Sequence, residues 1–331
     1  MRLTIIYILL ILTAGTILFL TKDYEENKTK REIEEQITWQ QKQDSIAKAE
    51  EAIYQNHIKP YLDNPFQDTI DLSGLALKKL PQDFLSKMLN LKYLDLSDNK
   101  FRELPKGIFE HDNLEVLDLS NNQILYLHLE KNIPYVHHKL KKLILKNAGL
   151  SQYPDINYFP NIEYLDISHN ISLSHVLHFE NAECLKLSYI DCSHNGFVDI
   201  RGIENFPNLQ ILIANNNNIV PIPKFLYNEK LQYLDLSHND IINFTFPEYT
   251  EILLELKTLK INNNNLKSIR KNVALSNLQH LEIRNNKILY LFDTFDIKKN
   301  YPSLTYLDLR GNSLKQDETT SIPNIDTLIL K

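Results

Sequence analysis

Leucine and isoleucine recur along most of the chain in a fixed order with polar residues, and the clearest instance is LQYLDLSHNDIINF at residues 231–244. Its apolar positions are Leu231, Leu234, Leu236, Ile241 and Phe244. The alternation across Leu234 and Leu236 predicts a short strand with one buried face. Asn239 follows that strand, and its side-chain amide is expected to bind backbone groups where the chain turns away.

The same order of residues occurs eleven times between residues 67 and 331, and an incomplete twelfth unit begins at Ile325. Successive turn positions lie 22 to 26 residues apart. They are occupied by Leu75, Asn99, Asn122, Ala148, Asn170, Asn195, Asn217, Asn239, Asn264, Asn286 and Asn312. The spacing L-x-x-L-x-L-x-x-N-x-L resembles the leucine-rich-repeat family, and the resemblance extends over about four-fifths of the chain.

This resemblance implies an α/β solenoid, the leucine-rich-repeat horseshoe, in which a parallel sheet lines the concave side and short helical or irregular segments form the convex side. A single unit cannot cover its own leucines, so stability is expected to come from the stacking of neighbouring units. Family members with this scaffold bind many unrelated ligands, so the resemblance implies recognition of a protein or peptide but names no partner.

Residues 1–22 are predicted to form a transmembrane signal-anchor. The stretch from Leu3 to Leu20 contains no charged residue, and a helix of that length rises about 27 Å, enough to cross a bilayer core. Arg2 precedes the stretch and acidic residues follow Lys22, which predicts a single-pass protein with the rest of the chain on the extracytoplasmic side. The alternative is a signal peptide and a secreted protein, although the residues after Leu20 offer no small-x-small cleavage site.

Residues 23–66 are predicted to form a charged helical stalk and an N-terminal cap for the repeat domain at 67–331. Apolar residues follow one side of the stalk at Ile33, Ile37, Ile46, Ala49 and Ile53. A coiled coil is the alternative, but the segment has no sustained heptad. The absence of cysteine-rich caps, with only two cysteines in the chain, favours a bacterial member over the secreted animal and plant ones.

Candidate binding residues lie at the outward positions of the predicted strands, which form columns because adjacent strands lie about 4.8 Å apart. The first column contains Tyr164, Tyr189, Ile211 and Tyr233, and the second contains Asp166, Asp191, Ile213 and Asp235. An aromatic and aliphatic surface beside a row of carboxylates is typical of a binding face. The alternative is family consensus, since L-D-L-S is common in such repeats and strands favour tyrosine. Lys141, Lys142 and Lys146 add a basic region one repeat earlier.

Chemistry of other kinds has little support in the sequence. No nucleophile, zinc-protease or phosphate-loop motif occurs, so the prediction is a non-enzymatic protein with no catalytic residue, metal or cofactor. His169, His194 and His238 share one predicted column, and solvated histidines are favoured there over a metal site. The net charge of −6 does not favour binding to nucleic acid, which requires a basic surface.

The leading hypothesis is therefore a recognition module that is tethered to a membrane and binds a protein or peptide through the concave face of its sheet. The alternative is a structural or adhesive surface protein that self-associates through the stalk or through the open C-terminal edge of the sheet, since an unpaired edge strand can pair with another chain.

Overall fold

A computed structural model describes residues 2–108, 111–124, 136–179, 182–225, 227–243, 253–268, 275–289, 301–314 and 326–329. The chain forms two compact units, Met1–Pro60 and Tyr61–Lys331. The predicted boundaries at residues 22 and 66 stay predictions.

The first unit is helical, in agreement with the predicted stalk. Helix α1 covers Arg2–Ile53 without a break, a π-helical turn covers Tyr54–Ile58, and α2 covers Lys59–Asp63. The helical path therefore continues through Pro60, although proline usually interrupts a helix. The wider turn explains this, because the N–H of Lys59 bonds to the carbonyl of Tyr54 and Pro60 falls in the first turn of α2, where a missing N–H is tolerated.

The structure does not support the transmembrane prediction for Leu3 to Leu20, which stays a prediction from the sequence. Within the described part of the chain, no helix combines the length and the apolar character that crossing a membrane requires.

The second unit is built on a parallel sheet whose strands follow one another in chain order, apart from a pair that lies elsewhere. The sheet contains β1 (Thr69–Asp71), β2 (Tyr93–Asp95), β3 (Val116–Asp118), β4 (Lys142–Ile144), β5 (Tyr164–Asp166), β7 (Tyr189–Asp191), β9 (Ile211–Ile213), β10 (Tyr233–Asp235), β11 (Thr258–Lys260), β12 (His280–Glu282), β13 (Tyr306–Asp308) and β14 (Thr327–Ile329). A second, two-stranded parallel sheet consists of β6 (Ser174–His178) and β8 (Gly196–Arg201). The prediction of a leucine-rich-repeat fold with a parallel sheet is confirmed.

Register is maintained from strand to strand by the central residue of each triplet. Leu165 pairs with Ile190, Ile190 with Leu212, and Leu212 with Leu234. All four side chains are buried, while the residues on either side point to the opposite face, as the two-residue period of a strand requires. Aliphatic side chains of adjacent repeats therefore form the core, and each repeat covers the next.

The asparagines at the turn positions support the core with side-chain hydrogen bonds. Asn239 is typical: its Nδ2 donates to the carbonyls of Ala214, Leu236 and Ser237, and its Oδ1 accepts from the N–H of Ile219. Because two of these partners lie in the preceding repeat, the amide satisfies buried backbone groups of two repeats at once.

Short elements connect the strands on the other side of the core. They include α3 (Phe84–Lys87) and two 3-10 turns at Ile156–Tyr158 and Ile203–Asn205. At the start of the sheet, the hydroxyl of Tyr61 accepts from the N–H of Asp71 at 3.1 Å and donates to its carbonyl at 3.2 Å. Tyr61 thus satisfies edge groups of β1, whereas Phe66, the last residue of the predicted N-terminal cap, is exposed.

Candidate functional site on the outward face of the sheet

The predicted binding residues lie side by side on one surface, which we call the sheet face. Its first column contains Lys142, Tyr164, Tyr189, Ile211, Tyr233 and Thr258, and its second contains Ile144, Asp166, Asp191, Ile213, Asp235 and Lys260. These residues come from β4, β5, β7, β9, β10 and β11, which are successive strands of the sheet. The sequence assigned the columns correctly because outward residues alternate with the buried leucines.

The centre of the sheet face is aromatic and aliphatic. The rings of Tyr164 and Tyr189 stack with their centroids 4.1 Å apart and their planes inclined by 7°. Ile211 and Ile213 lie on the next strand and are half-buried, so neither belongs to the core. Tyr233 lies beside Ile211 and is also half-buried. A preformed row of stiff side chains of this kind loses little conformational entropy when a ligand contacts it.

The carboxylates of the second column accept hydrogen bonds from backbone N–H groups. Oδ1 of Asp166, Asp191 and Asp235 accepts from the N–H two residues along the chain, at 2.9 Å in each case. Oδ2 of Asp235 also accepts from the amide of Asn215. Asp166 and Asp235 are consequently largely buried, while Asp191 is half-buried. Burial raises the pKa of Asp166, against the lowering effect of the hydrogen bonds from Ser168. These side chains therefore fix the strand ends as well as contributing negative potential.

Each end of the sheet face has a lysine, Lys142 at one end and Lys260 at the other, and the two lysines contact different partners. Nζ of Lys142 lies 4.3 Å from the centroid of the Tyr164 ring, a cation–π contact. Nζ of Lys260 lies 6.0 Å from the Tyr233 centroid and 3.2 Å from Oε1 of Glu282. Glu282 thus neutralises Lys260, whereas no carboxylate forms an ion pair with Lys142 among the residues that the structure describes.

Glu282 is the centre of a polar network beyond Lys260. It accepts from Asn262 at 2.7 Å and contacts Nε2 of His280 at 2.8 Å, and the His280 ring stacks on Tyr306 at 4.0 Å. Burial acts to raise the pKa of Glu282, but the hydrogen bonds from His280, Asn262 and Lys260 together hold it below the ordinary value. Glu282 therefore remains ionised and keeps this end of the sheet face close to neutral.

Only part of the basic region predicted at the other end, Lys141, Lys142 and Lys146, can interact with a ligand. Lys141 forms an ion pair with Glu115, with 2.6 Å between Nζ and Oε2. Lys142 and Lys146 lie on the outward side, half-buried and exposed respectively. Two of the three predicted lysines thus contribute positive charge to the sheet face.

The histidine column has a backbone explanation. His169, His194 and His238 have φ values of 60°, 54° and 56°, and the corresponding residues of other repeats, such as Asn216 and Asn263, share this left-handed conformation. Asn, Asp and His adopt it more readily than most residues. The rings of His169 and His194 stack 4.2 Å apart, but the described residues contain no group of three ligands that could bind a metal ion.

An exposed apolar stripe was missed by the sequence reasoning. Val198, Val220 and Ile242 occupy the same position in three successive repeats, and they are 41–47% exposed. Each follows directly on a buried residue, respectively Phe197, Ile219 and Ile241. The signal was present as an apolar pair after the turn asparagine, where the family pattern requires only one buried side chain.

Two further features lie outside the two columns of the sheet face. A cleft of about 650 Å³ is lined by residues that include Tyr153, Pro154, Leu173 and Phe179. Cys184 and Cys192 are free and buried. Burial raises the pKa of the Cys184 thiol to about 12, so this thiol is protonated and unreactive at neutral pH.

Comparison with known sequences agrees with the repeat assignment. Family models described as leucine-rich repeats match residues 68–130, 227–243 and 303–328. The chain is 30% identical to human oligodendrocyte-myelin glycoprotein over 192 residues, which cover 51% of this chain and 42% of that protein. It is 28% identical to chicken Tsukushi over 178 residues, which cover 52% and 47% of the two chains.

One match is to an enzyme, the adenylate cyclase of Schizosaccharomyces pombe, at 31% identity, but the matched region covers only 10% of that protein. The chain thus spans less than half the length of the curated relatives named here.

Solved structures share the fold at low sequence identity. The leucine-rich-repeat domain of APL1B superposes with a TM-score of 0.63 at 22% identity, covering 77% of this chain and 78% of that one. A chain of the LRIM1/APL1C complex gives a TM-score of 0.59 at 20% identity, covering 78% of this chain and 51% of that one. Repeat pattern, sheet, asparagine ladder and family matches agree that the chain has the leucine-rich-repeat fold.

Proposed function

We propose that this protein recognises a protein or peptide through the sheet face, without catalysing a reaction. The observation that carries the proposal is the unbroken row of Tyr164, Tyr189, Ile211 and Tyr233 on four successive strands, half-buried and backed by a rigid core. Aromatic anchors on a preorganised surface are typical of the centre of protein interfaces. In the horseshoe that the family implies, this face is the concave one.

The relatives support the same class of function. The LRIM1/APL1C structure is a complex between two proteins, and leucine-rich-repeat proteins typically mediate recognition between proteins. Transfer of that role to this chain is part of the proposal, since fold alone does not determine function.

The test uses two matched triple variants of the full-length chain. In the first, Tyr189, Ile211 and Tyr233 are changed together to Ala, and in the second the exposed stripe Val198, Val220 and Ile242 is changed to Ala. Both variants remove three partly exposed apolar side chains, and circular dichroism and thermal unfolding establish that each remains folded. Partners captured by the wild-type chain are then compared by quantitative mass spectrometry.

The proposal expects the first variant to lose the captured partners and the second to retain them. Retention by a folded first variant would refute binding through the sheet face. Loss only in the second variant would transfer the binding function to the stripe.

Attachment to a membrane, with the repeats on the extracytoplasmic side, is a separate part of the proposal. Its support is the uncharged sequence from Leu3 to Leu20 together with Arg2 before it. Fractionation of expressing cells, followed by alkaline extraction and N-terminal sequencing, tests it. The expected result is an intact N-terminus in the extracted membrane pellet, and a soluble or cleaved product would refute the anchor.

A further inference from the structure

We infer that the ligand of the sheet face is an extended peptide segment in which an acidic residue and a large apolar residue lie four positions apart. The inference rests on the proposed function and specifies its partner. It follows from two of the strands on which the row of outward carboxylates is interrupted: β4, where lysines flank an isoleucine, and β9, where both outward residues are isoleucines.

The carboxylate row is regular on most strands. Asp71, Asp95 and Asp118 occupy it on the first three strands, and Asp166 and Asp191 occupy it on β5 and β7. A ligand carboxylate would be repelled along these strands, because like charges at short range oppose each other.

The first interruption lies on β4. Ile144 replaces the aspartate there, between Asp118 on β3 and Asp166 on β5. Lys142 and Lys146 lie two residues before and two residues after Ile144 along the chain. Their charges act on Asp118 and Asp166 of the neighbouring strands. Among the described residues Lys142 forms no ion pair: its ammonium lies over the Tyr164 ring and is attracted by Asp118 only at longer range. A ligand carboxylate can therefore pair with it without displacing an internal ion pair.

The second interruption lies on β9, where both outward residues of the strand are isoleucines. Ile211 and Ile213 lie between strands whose second-column residues are Asp191 and Asp235. No cation accompanies them on that strand. This position therefore suits an aliphatic or aromatic ligand side chain and gives a carboxylate nothing to bind.

The separation of the two places determines the spacing in the ligand. From β4 to β9 there are three strand-to-strand steps, through β5 and β7, which amount to about 14 Å at about 4.8 Å per step. An extended peptide advances about 3.3 Å per residue, so about four residues cover that distance. The intervening residues then lie over the stacked rings of Tyr164 and Tyr189.

Lys260 at the far end does not provide an equivalent site. Its ammonium already pairs with Glu282, and Glu282 is held in place by Asn262 and His280. A ligand carboxylate would have to displace an internal partner there. The acidic residue of the ligand therefore binds at β4 and the apolar residue at β9.

The test selects a phage-displayed library of random dodecapeptides on the immobilised full-length chain. Enrichment of sequences with Asp or Glu four positions before or after a large apolar residue supports the inference. Enrichment of basic peptides, or of apolar peptides without an acidic residue at that spacing, overturns it.

Variants then assign the contact. Lys142→Gln should weaken binding of a selected peptide about tenfold, the loss expected for a hydrogen bond to a charged group, and Lys142→Arg should largely restore it. The matched control is Lys141→Gln. Lys141 pairs with Glu115 and belongs to neither column, so this substitution should leave the affinity unchanged. An affinity that is the same for the Lys142→Gln variant as for the wild-type chain overturns the inference.

The two levels of the proposal fail in different ways. If the triple variant at Tyr189, Ile211 and Tyr233 loses the selected peptides but Lys142→Gln does not, recognition by the sheet face survives and the inference about charge is wrong. If the triple variant binds the selected peptides as the wild-type chain does, the proposed function itself is wrong.

Discussion

Replacement of Asn217 by alanine tests whether the asparagine ladder holds the repeats together. Nδ2 of Asn217 donates to the carbonyls of Cys192, Ala214 and Asn215 at 3.0, 3.1 and 3.2 Å, and Oδ1 accepts from the N–H of Phe197 at 3.1 Å. The side chain is 7% exposed, so water cannot readily replace it. The substitution removes all four bonds and adds no atom.

The magnitude depends on which partners have alternatives. The carbonyls of Cys192 and Ala214 also accept from the amides of Asn195 and Asn239, and the carbonyl of Asn215 also accepts from the N–H of His194. Each carbonyl therefore keeps at least one bond. The N–H of Phe197 loses the one side-chain acceptor that it has in the described structure. A buried N–H group left without an acceptor costs about 1–3 kcal/mol of stability. Loss of shared bonds at the three carbonyls adds about 0.5 kcal/mol each at the low end of the usual range. We expect a total loss of about 2–5 kcal/mol in the free energy of unfolding.

Denaturant unfolding followed by circular dichroism measures this loss, and the chain offers a close control. Asn218 is the next residue, is exposed and makes no side-chain hydrogen bond in the described structure, so Asn218→Ala should change stability by less than about 0.5 kcal/mol. Asn217→Asp keeps the acceptor but turns an oxygen towards three carbonyls, and should destabilise at least as much as Asn217→Ala at neutral pH. Equal stabilities for the alanine variants at 217 and 218 would refute the reasoning.

Three further changes test the packing, the backbone and the ionisation of the repeats. Leu234→Ala should cost about 2–5 kcal/mol by leaving a cavity, whereas Leu254→Ala, at a 44% exposed residue, should leave the unfolding midpoint nearly unchanged. Gly311 and Gly74 both have φ of 69°, but a Cβ on Gly311 would overlap the side chain of Asn285, whereas a Cβ on Gly74 meets open space. Both alanine variants should lose about 1 kcal/mol of stability because of the left-handed backbone. Thermal unfolding should show an additional loss for Gly311→Ala alone. Burial lowers the pKa of His137 below 6.5 in the folded state, so its contribution to stability is complete above pH 6.5 and decreases as the pH falls below that value. The unfolding free energy of the wild-type chain should therefore fall more steeply below pH 6.5 than that of a His137→Gln variant. Parallel pH profiles of the two proteins would contradict this.

The main sheet was predictable because its determinants are local. The alternation at Leu234 and Leu236 identifies the buried face of a strand, and the repeat spacing determines which strands are neighbours. Correct assignment of the outward columns at Tyr189 and Ile211 follows from these two facts without any knowledge of long-range contacts.

What the sequence did not show depends on contacts between repeats. The short sheet of β6 and β8 forms where two connecting segments meet, and its residues Ser174–His178 carry no repeat pattern of their own. The carboxylate row was predicted as a ligand surface, but Asp166 and Asp235 also accept bonds from the backbone two residues along the chain, a role visible only once the turn geometry is known.

Charge on the sheet face was also only partly predictable. Lys141, Lys142 and Lys146 are equivalent by sequence, and coordinates are needed to show that Lys141 is neutralised by Glu115, 26 residues earlier in the chain. The exposed stripe of Val198, Val220 and Ile242 was hidden for the opposite reason, since its apolar character resembles that of core positions.

Site-specific photo-crosslinking within one repeat tests the central claim most directly. A benzophenone amino acid is incorporated at position 211 on the sheet face or at position 220 on the exposed stripe, both in the seventh repeat, and each full-length variant is irradiated with a selected peptide or a captured partner. Recognition by the sheet face predicts a covalent adduct from position 211 and none from position 220. An adduct from position 220 alone, with the 211 variant folded and unreacted, would contradict it.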